Sequence, residues 1–176
     1  MFEIQPMNAE TYRRQTRRST VIIALMFLAL AMVLSTAAVA LFGEPGGDNL
    51  RFNVGGVFAA LLLMAALMRG TFWTQEWMAP AVYGWQLKRS LMSITNVMHQ
   101  VTAAVDKGDP SAMKLLRFFY HLGLSQMHQL DGNSSDHSQL TREMEQHKAR
   151  MEALGIETEQ TQLNPAWLEA VKQTQM

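Results

Sequence analysis

The chain has 176 residues with fifteen basic and fifteen acidic side chains. This balance gives no general attraction to nucleic acid, and the absence of cysteine excludes disulfides and every thiolate site, whether for zinc, for an iron–sulfur cluster or for nucleophilic catalysis. Once two long apolar stretches are set aside, roughly a hundred residues remain, enough for one small folded unit.

Residues 1–20 are polar, and four arginines stand directly before the first apolar stretch: Arg13, Arg14, Arg17 and Arg18. That stretch, Val21 to Phe42, has twenty-two residues without a charge, which is long enough to cross a bilayer as a helix. Its length and the second apolar stretch soon after it favour an uncleaved anchor over a signal peptide. We therefore predict a cytoplasmic basic leader over residues 1–20, followed by a membrane span.

A turn and a second apolar stretch come next. Gly43 to Asn49 combines helix breakers with turn formers, and residues 52–68 are uncharged but short for a span. We expect small residues of this second stretch to pack closely on small residues of the first. The predicted contact joins Gly55, Gly56, Ala59 and Ala60 to Ala31 and Ser35. The two stretches therefore predict a transmembrane helical hairpin.

Aromatic residues follow the second stretch. Rings with one apolar and one polar end are typical of the headgroup region, and we predict four interfacial anchors: Trp73, Trp77, Tyr83 and Trp85. The second helix is expected to continue through this segment as far as the break before Pro80. The hairpin with its aromatic extension covers residues 21–78.

The positive charges near the spans are distributed unevenly. Four arginines precede the first span, and three basic residues follow the second: Arg69, Lys88 and Arg89. The connecting turn has Arg51 alone, beside Glu44 and Asp48. By the positive-inside rule, both termini are predicted to face the cytoplasm.

Residues 79–176 predict a cytoplasmic module of three helices and a short fourth one. The first helix begins at Pro80 and carries a stripe with spacings of three and four: Leu87, Leu91, Ile94, Met98, Val101 and Val105. The second helix begins at Asp109 and Pro110 and ends at Leu130. It has two apolar faces, one with Met113, Leu116, Tyr120, Gly123, Met127 and Leu130, the other with Leu115, Phe119 and Leu122. It is therefore predicted to lie in the middle of the module.

The third helix of the module is predicted to begin at Ser134 or Ser135 and to end at Gly155. Its stripe is Leu140, Met144, His147, Met151 and Leu154. A polar linker, residues 156–163, then leads to a short helix capped by Asn164 and Pro165, with three residues facing inward: Trp167, Leu168 and Val171. The predicted fold class is all-α, a two-span transmembrane helical hairpin followed by a small cytoplasmic antiparallel helical bundle.

Histidines and carboxylates are the candidate ligands in a chain without cysteine. His121 and His128 lie two helical turns apart, about 10.5 Å along the axis, which is too far to share one metal without ligands from elsewhere. The Glu-x-x-His spacing of di-iron bundles is missing around His147, which we interpret as a packed, hydrogen-bonded residue. We predict no metal site, no cofactor and no catalytic residue.

One side of the predicted central helix is basic. A solvated face explains this pattern. The alternative is a surface that contacts anionic lipid headgroups or a partner, because basic residues near the cytoplasmic leaflet are attracted to it. The residues of this possible contact are Lys114, Arg117, His121 and His128, together with Arg69, Lys88 and Arg89.

Four segments carry a family resemblance: Tyr12 to Thr20, Leu41 to Asp48, Trp77 to Trp85, and Gly123 to Asn133. Together they resemble a family of short gammaproteobacterial inner-membrane proteins known only as a domain of unknown function. The resemblance spans nearly the whole chain and implies a bacterial inner membrane. It supplies no activity, ligand or partner.

Two functions stay open. The first is a non-enzymatic, membrane-anchored interaction or assembly protein, whose hairpin holds the helical module beside a membrane-protein partner or another copy of itself. The second is a membrane-bound enzyme, or a protein that binds a cofactor or lipid, using the histidines and the aromatic residues beside the membrane. The absence of reaction motifs favours the first.

Overall fold

The computed structural model describes residues 2–132, 137–159 and 161–173, without the side chains of residues 117–119 and 137–139. The structure is all-α, as predicted. Its α-helices are α1 (Ala9–Phe42), α2 (Leu50–Gly70), α3 (Ala79–Thr95), α4 (Met98–Asp106), α5 (Pro110–Lys114), α6 (Leu122–Asp131), α7 (His137–Ala153) and α8 (Pro165–Gln173). A π-helix, Leu115–His121, joins α5 to α6.

The chain divides into two compact units. The hairpin unit is Arg14–Val82, and the helical unit is Met1–Arg13 together with Tyr83–Met176. The sequence-based division at residues 20 and 78 differs from this, because residues 2–13 carry apolar side chains that pack on the helical core: Phe2, Ile4, Met7, Ala9 and Tyr12.

The hairpin unit begins with a continuous helix. α1 has 34 residues and neither Gly nor Pro, so residues 9–20 of the leader and the apolar stretch form one uninterrupted helix. In the predicted turn, Gly46 has a φ of 74° and the Gly47 N–H donates to the Glu44 carbonyl at 3.0 Å. The Asn49 side chain accepts from the Glu44 N–H and donates to the Glu44 carbonyl. These bonds reverse the chain before α2.

The prediction that α2 continues through the aromatic segment as far as Pro80 is wrong. The helix ends at Gly70, and two short 3-10 turns, Phe72–Thr74 and Glu76–Met78, precede α3. Glycine is a poor helix former, and Thr71, with φ −125° and ψ −51°, already departs from helical geometry.

The single helix predicted from Pro80 to Val105 is interrupted. Val97, with φ −120° and ψ 19°, separates α3 from α4, and its N–H donates to the Ile94 carbonyl at 3.0 Å. The segment from Ser93 to Val97 consists of weak helix formers, which explains the break. The predicted stripe nevertheless forms the core, since Leu87, Leu91, Ile94, Val101 and Val105 are buried.

The central helical segment begins and ends as predicted. The Asp109 side chain accepts from the Ala112 N–H at 2.8 Å, Pro110 occupies the first turn, and Gly132 follows α6 with a φ of 75°. α5 contacts α4 and α8, and the π-helix contacts α4 and α7, so the predicted central position is confirmed.

The π-helix within this segment was not predicted, and it changes the buried face. A π-helix places more residues in each turn than an α-helix and therefore rotates the residues that follow. Leu115 is fully buried, whereas Leu116, a member of the predicted main stripe, is only partly buried. Met113, Gly123 and Leu130 of that stripe are buried as expected.

The predicted start of the third module helix, at Ser134 or Ser135, lies outside the described residues. Its end is as predicted, because Gly155 has a φ of 66° and closes α7. The prediction that Leu154 faces the core is wrong, since this side chain is 54 % exposed. The Ile156 N–H donates to the Met151 carbonyl at 2.9 Å, as in a Schellman motif, and Ile156 packs on the core instead.

The segment from Ile156 to Leu163 is more than the polar linker predicted. The Ile4 N–H donates to the Thr161 carbonyl at 2.8 Å, and the Leu163 N–H donates to the Phe2 carbonyl at 2.9 Å. These bonds fix the N-terminal residues to the helical unit. The Asn164 side chain then accepts from the Ala166 N–H and caps α8, as predicted.

Candidate functional site

A close contact joins the two long helices of the hairpin unit. Gly56 is buried, and a Cβ at this position would lie 2.5 Å from the Ser35 nitrogen and 2.8 Å from the Leu34 carbonyl carbon. The Ser35 hydroxyl donates to the Asn53 carbonyl at 3.0 Å. The backbones therefore approach so closely that only glycine fits, which is the packing expected of small residues between membrane helices.

The prediction that all four small residues of α2 take part in this contact is only partly right. Gly56 and Ala60 are buried, as is Ala31 on α1, whereas Gly55 and Ala59 are exposed. Adjacent residues of a helix point about 100° apart, so a single α2 face cannot bury both pairs. Gly55 and Ala59 are therefore not part of the contact.

The remaining faces of α1 and α2 are apolar and uncovered. Leu25 is 61 % exposed, Leu28 57 % and Leu62 70 %. Only 6 % of the most apolar window of the first helix is buried, and 17 % of that of the second. Both helices are long and apolar enough to cross a membrane. A helix in the core of a soluble protein would instead have most of such a window buried.

A small cavity lies in the hairpin unit, where α1 meets the segment before α3. Ser19 is 2 % exposed, and its hydroxyl donates to the Trp77 carbonyl at 2.6 Å. The Trp77 ring also meets the Phe72 ring edge-on, with centroids 5.5 Å apart. The cavity has a volume of about 90 Å³, and its lining includes Gln15, Arg18, Glu76, Trp77 and Pro80. A positively charged residue, a negatively charged residue and a tryptophan therefore line the same cavity.

The other predicted anchors have different surroundings. Trp73 is partly buried in the hairpin unit, and Trp85 on α3 is 47 % exposed. Tyr83 is 8 % exposed and lies inside the helical unit. Its ring packs on the Phe2 ring at 5.4 Å between centroids. Tyr83 is therefore a core residue of the helical unit rather than an exposed anchor.

Hydrogen bonds tie Tyr83 to the N-terminal segment. The Gln5 N–H donates to the Tyr83 hydroxyl at 3.0 Å, that hydroxyl donates to the Gln126 side-chain oxygen, and the Gln126 amide donates to the Gln5 carbonyl. Burial raises the pKa of Tyr83, although its bonds to Gln5 and Gln126 act in the opposite direction. The hydroxyl therefore stays protonated and able to donate at neutral pH.

Tyr12 fills the space beside a second glycine. Its side chain is 8 % exposed, and a Cβ on Gly84 would overlap the Tyr12 hydroxyl. This docking of the leader was not predicted from the sequence. The alternation of apolar Phe2 and Ile4 with polar neighbours was the available signal, because such alternation is typical of an extended segment with one buried face.

Within the helical unit, the described side chains of the predicted basic face are not all solvated. His121 is only 7 % exposed, and the Lys114 ammonium lies 5.9 Å from the centre of the Trp167 ring. His128 is partly exposed, and the side chain of Arg117 lies outside the described residues. Arg69 is exposed near the end of α2.

Two histidines of the central segment and α7 form a buried pair. The His121 and His147 rings are perpendicular, with centroids 5.8 Å apart. His147 Nε2 lies 3.1 Å from the Met113 carbonyl oxygen. Because a carbonyl oxygen only accepts, Nε2 carries a proton and donates. In the described part of the chain, no group of three or more histidines and carboxylates could hold a metal ion.

An exposed face of α3 combines an aromatic ring, a cation and a thioether. Trp85, Arg89 and Met92 have spacings of four and three and so share one side of the helix. Met92 is 64 % exposed, and the Arg89 guanidinium lies 5.0 Å from the centre of the Trp85 ring. We call these three residues the α3 surface. Lys88 beside it forms an ion pair with Asp131 at 3.0 Å.

Comparison with known proteins identifies a family for this chain. No curated protein and no solved structure matches the chain. A family model described as "Protein of unknown function (DUF3087)" matches residues 2–168, which include both apolar helices and the beginning of α8. The predicted resemblance to a family of unknown function is thereby confirmed, and the chain belongs to the DUF3087 family.

Proposed function

We propose that this protein is a membrane-anchored interaction protein of the bacterial inner membrane. The observation that carries the proposal is the uncovered apolar surface of α1 and α2, combined with their close contact at Gly56. Apolar side chains exposed on a paired set of long helices are stabilised by lipid. The 22 uncharged residues of α1 extend about 33 Å as a helix, close to the roughly 30 Å thickness of the hydrocarbon core.

The charges near the helix ends support cytoplasmic termini. Arg14, Arg17 and Arg18 are exposed on α1 before its apolar part, and Arg69 is exposed near the end of α2. The connecting turn contains Glu44 and Asp48. Positive residues are retained on the cytoplasmic side of the inner membrane, so this turn lies on the periplasmic side.

The α3 surface is the part of the helical unit that we propose meets a partner. Trp, Arg and Met are enriched in protein interfaces. In a two-fold dimer formed through this surface, Arg89 would approach its own symmetry mate and be repelled. We therefore propose a different membrane protein, with acidic residues at the contact, as the occupant.

Site-specific photocrosslinking in living cells tests this interaction. With a photoreactive amino acid at Met92, we expect an adduct whose mass exceeds that of the chain by the mass of a different protein. Arg89→Glu should abolish the adduct, because it reverses the charge at the contact. Lys107→Glu should not, because exposed Lys107 follows α4 and is not part of the α3 surface. An adduct of two copies, or one insensitive to Arg89→Glu, would overturn the assignment of partner.

A further inference from the structure

The cavity of the hairpin unit contains charges of both signs. The guanidinium-bearing Arg18 and the carboxylate-bearing Glu76 line the same opening. No ion pair seen among the described residues includes either of them. A ligand that carries both an anion and a cation would pair with both side chains at once, whereas a ligand of one sign would be repelled by one of them.

The groups around these charges suit a phosphate and a primary ammonium. Guanidinium forms strong hydrogen bonds with phosphate oxygens, and the Gln15 amide supplies a further donor. A carboxylate accepts hydrogen bonds from an ammonium, and the face of an indole ring attracts a cation. Glu76 and the adjacent Trp77 therefore offer both kinds of contact to an ammonium group.

Contacts within the protein hold the residues of the cavity wall in place without a ligand. The bond from the buried Ser19 hydroxyl to the Trp77 carbonyl holds the two sides of the cavity together. The Phe72 ring supports the Trp77 ring, and Pro80, which is buried, restricts the backbone after it. Such preorganisation reduces the entropy lost on binding.

The position of the cavity along α1 suits a lipid headgroup. Arg18 and Ser19 lie within one helical turn of Val21, where the uncharged stretch begins. If the hairpin spans the membrane as proposed above, this level of α1 lies among the headgroups. A volume of about 90 Å³ holds a small polar group and excludes an acyl chain.

We propose that this cavity binds the phosphoethanolamine headgroup of a bilayer phospholipid, with its phosphate toward Arg18 and its ammonium toward Glu76. The inference rests on the proposed membrane anchoring. It also predicts selectivity. A glycerol headgroup has no cation for Glu76, and the trimethylammonium of choline cannot donate a hydrogen bond and is larger.

Native mass spectrometry of the full-length protein, released from detergent with added lipid, measures this selectivity. We expect phosphatidylethanolamine to bind roughly tenfold more tightly than phosphatidylcholine or phosphatidylglycerol, as one charge-assisted hydrogen bond would give. Glu76→Gln should remove the preference for ethanolamine over choline. Arg18→Gln should weaken binding of all three lipids, and Arg17→Gln, a neighbouring arginine outside the cavity lining, should change nothing.

Two further results would overturn the proposal. One is equal binding of the three lipids, and the other is a selectivity that Glu76→Gln leaves intact. Soluble phosphoethanolamine is tested in parallel, and its binding in place of the lipid would reject the bilayer as the source.

Cysteine labelling of the same protein in cells reports whether the hairpin spans the membrane. A spanning hairpin without headgroup selectivity would reject this inference and leave the anchoring proposal standing.

Discussion

Gly56→Leu is expected to disrupt the packing of α1 against α2, and Gly55→Leu, one residue earlier, is expected to leave it intact. The atoms that a side chain at Gly56 would meet belong to the backbone of Leu34 and Ser35, which cannot rotate away. At Gly55 a Cβ would meet no atom within 4 Å. Overpacking of this kind costs about 1 to 3 kcal/mol, and the rigid backbone places Gly56→Leu at the upper end.

The free energy of unfolding of the full-length protein in detergent micelles measures this difference, by titration with a denaturing detergent. The two variants add the same apolar side chain at adjacent positions, so any general effect of leucine on micelle binding is shared. Equal loss of stability in both would show that the Gly56 face does not form the contact between the helices.

Leu115→Ala is expected to destabilise the helical unit by about 2 to 5 kcal/mol, because it removes a fully buried side chain and leaves a cavity. Leu116→Ala deletes the same atoms one residue later, where the side chain is only partly buried. We expect this second variant to cost about 1 to 2 kcal/mol, in proportion to the smaller apolar area lost. Chemical denaturation of the full-length protein in a mild detergent measures both values.

The order of these two costs tests the π-helix between α5 and α6. In an uninterrupted α-helix, Leu116 would share the main buried stripe with Met113 and Tyr120, and Leu116→Ala would be the more damaging change. A larger loss for Leu116→Ala than for Leu115→Ala would therefore contradict the π-helical register. Similar losses would contradict it as well, because the two side chains differ clearly in burial.

Signals that act over a few residues allowed much of the fold to be predicted. Asp109 before Pro110 and Asn164 before Pro165 cap helices through bonds that span two or three residues. Gly132 and Gly155 end helices by adopting a positive φ. Apolar stripes with helical spacing identified most of the buried residues of α3 and α4. Each of these features depends on local chemistry that one segment carries by itself.

Features that depend on distant parts of the chain were not predictable in this way. The Gln5 N–H bonds to the hydroxyl of Tyr83, 78 residues away, so nothing near Gln5 indicates the partner. No local sequence feature indicates the π-helix either, because the backbone hydrogen bonds of these residues could be satisfied in an α-helix as well as in a π-helix. Its His121 side chain meets His147 of α7, a neighbour that only the folded helical unit supplies.

The candidate sites also depend on contacts between distant parts of the chain, which the sequence did not reveal. The small-residue pattern predicted Gly55 and Gly56 in the same contact although they point about 100° apart, and only the position of Ser35 in space shows that Gly56 alone of the two meets α1. The cavity brings Arg18 and Glu76 to one opening although 58 positions separate them. For the basic face, the helical spacing of the residues predicted that His121 faces solvent, whereas the structure buries this side chain.

Anchoring by the α1–α2 hairpin is tested most directly by labelling single cysteines, because the natural chain contains none. Asp48→Cys places a thiol in the connecting turn, and Glu159→Cys places one at an exposed position after α7. With a membrane-impermeant maleimide on intact spheroplasts, we expect Asp48→Cys to react at once and Glu159→Cys to react only after lysis. Reaction of both before lysis, protection of both, or recovery of the protein in the soluble fraction would contradict a two-span protein with cytoplasmic termini.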